Sequence, residues 1–135
     1  MYISERVRQL VMERANFQCE YCRVYQANAF YAFHIDHIIS LKHGGDNSLD
    51  NFAFACSICN MLKGTDLGSI LEPDGTIIRF FNPRKDIWTT HFEVNPNGIL
   101  YPKTLEAEVT IKILQLNHMD TIIERRILIE IGLYP

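Results

Sequence analysis

The sequence has no apolar run near the roughly 18 residues of a bilayer span. Its opening, Met-Tyr-Ile-Ser-Glu-Arg-Val-Arg-Gln, puts charges where a signal peptide needs an apolar stretch, so a cytoplasmic setting without a membrane partner is expected. Nothing repeats, and no segment is rich enough in Gly, Ser or Pro to mark a linker. Residues 1–135 are therefore expected to form one domain, with an accessory region at about 68–135. Nor is positive charge in excess: 13 Lys and Arg against 16 Asp and Glu give a formal net charge of −3. Global electrostatics thus make no case for nucleic-acid binding, although a local basic cluster or a bound divalent cation can still hold phosphate. What is present is ordinary for a folded globular chain, with 47% hydrophobic and 21% charged residues.

Periodicity gives an α+β reading. Ser4 to Asn16 reads as an amphipathic helix with Ile3, Val7, Leu10, Val11 and Ala15 near one face and Ser4 as its cap. The aromatic, β-leaning stretch Phe30–Leu41 reads as a strand, broken at Gly44-Gly45-Asp46-Asn47. A short apolar element at Leu49–Phe54 follows, then a brief helix that stops at Gly64. Ile70-Leu71 and Ile77–Phe81 flank Pro73-Asp74-Gly75, a hairpin signal. A second hairpin joins Phe92–Val94 to Ile99–Tyr101 across Asn95–Gly98. From Thr104 onward, apolar residues recur at helical spacing and predict two helices with a break near Asn117, covering the sheet.

Four cysteines stand as Cys19-x-x-Cys22 and Cys56-x-x-Cys59. Two knuckles of this spacing can present four thiolates tetrahedrally to one zinc ion, which would then be structural, having no open coordination position. The alternatives are two disulfides, four buried thiols, or redox-active pairs; nothing in Glu20-Tyr21 or Ser57-Ile58 suggests the low-pKa thiolates that redox chemistry needs.

Between and after the knuckles come Phe33-His34-Ile35-Asp36-His37-Ile38-Ile39, Gly44-Gly45, Asn51, Asn60 and Lys63-Gly64. This order strongly resembles the HNH endonuclease family over about Cys19–Gly64. The resemblance implies a ββα-metal finger carrying the N-terminal helix, the hairpins and the C-terminal helical pair. It further implies that His37 is a general base, Asn51 the middle residue of the motif, and Asn60 the occupant of a third position that is His in the family name. Asp36 and Asn60 would bind one Mg²⁺ or Mn²⁺, and the substrate would be nucleic acid, with DNA ahead of RNA. Oxygen donors from a carboxylate and an amide suit such a hard ion. Imidazole, with a reference pKa near 6.5, can accept a proton from water close to neutral pH. Asn51 has no proton to exchange and is assigned to bracing the loop or orienting the His37 ring.

One geometric difficulty accompanies this set. Adjacent strand residues point to opposite faces, so Asp36 and His37 can share one phosphate only if the strand ends or bends there; a bend at the pair is expected, and a straight strand through both would count heavily against the assignment. His34 either partners Asp36 or is structural. His43, Lys63, Arg84 and Lys85 are weaker candidates for contacting nucleic acid, each weighed against an ordinary surface role. Arg79 and Trp88 add to a basic and aromatic stretch in which packing is favoured for the aromatics, while His91 and His118 read as structural or exposed. The rival to a nuclease is a non-catalytic four-cysteine zinc module that binds nucleic acid or a protein. A homodimer is compatible with either.

Overall fold

The computed structural model describes residues 2–135. Helix α1 (Glu5–Arg14) begins where the Ser4 side chain accepts a hydrogen bond from the Val7 amide at 3.2 Å, which satisfies one of the free donors of the first turn. At the other end Arg14 donates to the carbonyls of Leu49 and Phe52 at 2.8 and 2.7 Å, fixing α1 to the chain leading into the second strand of the finger.

Strand β1 (Phe33–His37) pairs antiparallel with β2 (Phe52–Cys56), from Phe33 opposite Cys56 to His37 opposite Phe52. All five residues of β2, Phe-Ala-Phe-Ala-Cys, are buried, as expected of a strand covered on both faces. Helix α2 (Ser57–Lys63) follows directly, and Gly64, at φ 52°, ends it. These three elements form the expected ββα unit. The strand is shorter than the 30–41 stretch because residues 38 and 39 leave the pairing for a loop. The element expected at 49–54 divides into a 3₁₀ turn, Leu49–Asn51, and the start of β2.

Two further hairpins follow, β3 (Gly68–Leu71) with β4 (Thr76–Arg79) and β5 (Phe92–Val94) with β6 (Leu100–Pro102). Gly98 turns the second one: its φ is 90°, and an added Cβ would lie 2.4 Å from the Ile122 carbonyl oxygen. A short helix, α3 (Trp88–His91), precedes β5. Helix α4 (Leu105–Ile113) lies against β3, β4 and β6, and α5 (Met119–Glu130) follows the break expected near Asn117. Asn117 itself brackets Leu100, accepting from its amide at 2.9 Å and donating to its carbonyl at 2.8 Å. Arg125 of α5, 1% exposed, donates to the carbonyls of Gly98 and Leu116, both at 2.6 Å. In place of one sheet covered by a helical pair, the described residues form three separate two-stranded ribbons. Among them, no helix is long and apolar enough to cross a membrane.

Candidate functional site

The first knuckle is held from three sides. The Glu20 amide donates to the Phe54 carbonyl at 2.8 Å, Trp88 Nε1 donates to the Tyr21 carbonyl at 2.9 Å, and the Tyr134 hydroxyl donates to the Cys22 carbonyl at 2.7 Å. The second knuckle leaves β2 and enters α2. Their four sulfurs lie within 4.8 Å of one another and all four cysteines are buried. The Cys22–Cys56 sulfur separation of 3.9 Å is close to the ~3.8 Å edge of a tetrahedron with ~2.3 Å zinc–sulfur bonds, and far from the ~2.05 Å of a disulfide. Cys19 is held well below its ordinary value by hydrogen bonds with Cys22, Cys56 and Cys59, against burial that opposes it, and Cys22 and Cys59 are pushed well above theirs chiefly by their bonds with Cys19. A divalent cation would balance the charge of all four as thiolates. The residues fit a structural metal, and their donor set is that of zinc.

The end of the finger that carries the four cysteines fixes β2, and β2 fixes His37. Its ring packs edge-on to Phe52 with centroids 5.1 Å apart, and Nε2 hydrogen-bonds with Asn47 Oδ1 at 2.9 Å. An amide oxygen only accepts, so Nε2 donates here, and in the neutral ring Nδ1 carries the lone pair. Asn47 was legible in the sequence only as part of a turn signal. Asn51 braces the same loop without touching the imidazole. Its Oδ1 accepts from the Ile39 amide at 2.9 Å, and its Nδ2 donates to the carbonyls of Ile39 and Asp46 at 2.8 and 2.9 Å. Gly45 permits this closure, since a Cβ there would stand 1.7 Å from the Ile39 carbonyl oxygen.

The bend expected between Asp36 and His37 is absent. The register runs unbroken through Asp36 opposite Ala53 and His37 opposite Phe52, and the strand ends at His37 instead. The two side chains accordingly diverge, which counts against Asp36 and His37 acting on one phosphate. Asp36, 5% exposed, accepts from the Tyr21 hydroxyl at 2.8 Å and is ion-paired to Lys63 Nζ at 3.2 Å. Lys63 also donates to the His37 carbonyl at 2.9 Å. Burial lifts the Asp36 carboxyl above its ordinary value, opposed by the Lys63 charge and the Tyr21 hydrogen bond. Asp36, His37 and Asn60 nevertheless border one open groove of about 330 Å³. Asn60 sits half-buried on α2, and its side-chain amide has no hydrogen-bond partner among the described residues.

The weaker candidates are placed differently from one another. Lys63 is 2% exposed and directed inward, which fits neither the contact with nucleic acid nor the solvated surface lysine that the sequence left open. Arg84 is ion-paired to Glu20 with both side chains largely buried, because that carboxylate also accepts from the Phe54 amide and needs a counter-charge. His43 is exposed beside Arg79 and Asp66, away from the groove that His37 borders. Lys85 is exposed at the rim of a cavity of about 270 Å³ that Arg79 and Phe80 also line. His34 is exposed on β1 and does not bond Asp36. Trp88 is buried and stacks on Phe92 with centroids 4.9 Å apart, so it packs and is not offered to a base.

Fold and site together define a ββα finger stapled by a four-cysteine metal centre. Residues 19–66, about a third of the chain, match the family model described as HNH endonuclease. The match spans both knuckles, β1, β2 and α2, the region over which the sequence resembles that family. No curated protein and no solved structure matches the chain.

Proposed function

We propose that the chain is a metal-dependent endonuclease that hydrolyses phosphodiester bonds in DNA, with His37 as general base. The observation that carries this reading is that Asp36, His37 and Asn60 all border one groove. With Nε2 tied to Asn47, Nδ1 is the atom that takes a proton from water as its oxygen attacks phosphorus. The P–O3′ bond breaks in line and the departing O3′ takes a proton from solvent water, leaving by family analogy a 5′-phosphate and a 3′-hydroxyl. Asn51 acts by fixing the loop after His37, and Lys63 by fixing the His37 carbonyl.

Asp36 and Asn60 would hold one Mg²⁺ or Mn²⁺, since their oxygens are of the hard type such ions take. When bound, the ion supplies charge neutralisation at the phosphate. Asp36 Oδ1 retains acceptor capacity, its nearest cationic neighbour being Lys63 Nζ at 3.4 Å. Many nucleases that cut both strands act as dimers, so a homodimer is compatible with this proposal, as is a cytoplasmic setting.

A second reading has one observation in its favour. Asp36 paired to Lys63 and Tyr21 is also what a purely structural carboxylate looks like, and a non-catalytic zinc module would keep it. Incubation with supercoiled plasmid and Mg²⁺ or Mn²⁺, beside an EDTA control and a His37→Ala variant checked for zinc content and folding, separates the two. Nicking that needs the metal and is lost in the variant is expected. Equal inertness of both proteins on duplex DNA, single-stranded DNA and RNA would move the binding module ahead.

A further inference from the structure

A cavity of about 190 Å³ between the C-terminal end of α1, the first knuckle and the segment after β4 takes no part in the reading above. Arg14, Gln18, Glu20, Arg23, Asp86 and Trp88 are among its walls. The two carboxylates there are already committed. Glu20 pairs with Arg84 and accepts from the Phe54 amide at 2.8 Å, and Asp86 takes a two-pronged contact from Arg79 at 2.7 and 3.2 Å. Two guanidinium charges are left over. Arg14 donates only to neutral carbonyls, those of Leu49 and Phe52, with the exposed Asp50 carboxylate acting on it. Arg23 lies over the Trp88 ring at 5.3 Å, its Nε is buried without a partner, and its guanidinium makes no hydrogen bond among the described residues.

The backbone at Arg23 adds a second observation. Its φ of 71° lies in the left-handed region that favours glycine, so a long cationic side chain is carried at a strained position. Crowding of positive charge is also visible next door, where Arg84 is held down to about 10 by burial and by repulsion from Arg14.

We propose that this cavity binds a phosphate group between the guanidiniums of Arg14 and Arg23. Arginine offers paired N–H donors that match phosphate oxygens, and surplus positive charge at the site favours such bonds. The volume is below the roughly 300 Å³ at which pockets begin to enclose a drug-sized ligand, so it suits a phosphate better than a whole nucleotide. The phosphate can come from a nucleic-acid backbone or from a free monoester. The site shares no residue with the groove bordered by His37 and does not depend on catalysis there.

Trp88, the only tryptophan, reports on the site. Titrating the whole protein with inorganic phosphate against chloride at matched ionic strength should give a saturable change in its fluorescence. Arg23→Gln should weaken that binding about 10- to 100-fold, the worth of one lost charged hydrogen-bonding group, and Arg23→Lys by less. His37→Ala should bind phosphate as the wild type does, which keeps this inference separate from the nuclease reading. Displacement by a short DNA duplex identifies the backbone as the source, displacement by a nucleoside 5′-monophosphate alone identifies a monoester, and either supports the site. A wild-type response that follows ionic strength alone overturns the proposal whether or not the variants fold, as does unchanged affinity in a folded Arg23→Gln protein.

Discussion

Replacing Asn51 tests whether the loop after His37 is held by one side chain. In the wild type that amide makes three hydrogen bonds, two to Ile39 and one to Asp46, from a residue 8% exposed. At about 0.5–1.5 kcal/mol net for each, and with the Ile39 groups left short of partners, Asn51→Ala should cost about 2–3 kcal/mol. Asn51→Asp keeps the acceptor but aims negative charge at two carbonyl oxygens, so its loss should be at least as large at neutral pH. Acidification protonates the introduced carboxyl and restores a donor, and the gap to wild type should narrow as pH falls. Urea unfolding followed by Trp88 fluorescence reads this directly: with a slope of about 1–3 kcal/mol per molar, the midpoint should fall by on the order of 1–2 M. Hydrogen exchange at the Ile39 amide should quicken at the same time. Variants within about 0.5 kcal/mol of wild type, with Ile39 still protected, would show that the loop is held by something else.

Three further outcomes follow from the same geometry. Removing metal with a strong chelator should abolish the cooperative unfolding transition and change Trp88 fluorescence, because Trp88 is bonded to the first knuckle; the metal should also be lost more readily at lower pH, since the ligands must be thiolates. A chelated protein that unfolds at the same midpoint would refute the structural role of the cysteines. Lys63→Met removes the ammonium at 3.2 Å from Asp36 and should tighten Mn²⁺ binding, read by electron paramagnetic resonance, while lowering stability by about 3–5 kcal/mol as a buried charge loses its partner. Weaker Mn²⁺ binding in a folded variant would remove Asp36 from the ligand set. Asn47→Asp places a carboxylate beside His37 Nε2, which favours the protonated ring, so the acid limb of the nicking rate should move to higher pH. A profile that stays in place would dissociate Asn47 from the base.

Much of the fold was legible because its signals are local. Ser4 capping, the Asp74-Gly75 and Asn95–Gly98 turns and the Gly64 stop each depend on a few neighbouring residues, and each stands where the sequence placed it. The single sheet was not legible in that way. Three ribbons or one sheet give the same strand pattern along the chain, and only the pairing of each strand with its neighbour separates them.

The site divides along the same line. Motif order brings Asp36, His37 and Asn60 to one groove, but residue spacing cannot say which groups neutralise one another. Lys63 lies three positions after Asn60, and that spacing alone suggests a charge shared with the substrate side of α2. Burial of Asp36 changes the balance. A carboxylate 5% exposed needs a positive partner more than a surface does, and Lys63 is the cation that α2 brings within reach. Tyr21, inside the first knuckle, completes the pairing, and it can do so only because the cysteines on either side of it close on those of β2 and α2. The metal centre therefore supports His37 at one remove: it fixes Tyr21, which with Lys63 fixes Asp36, and Lys63 in turn holds the His37 carbonyl at the end of β1.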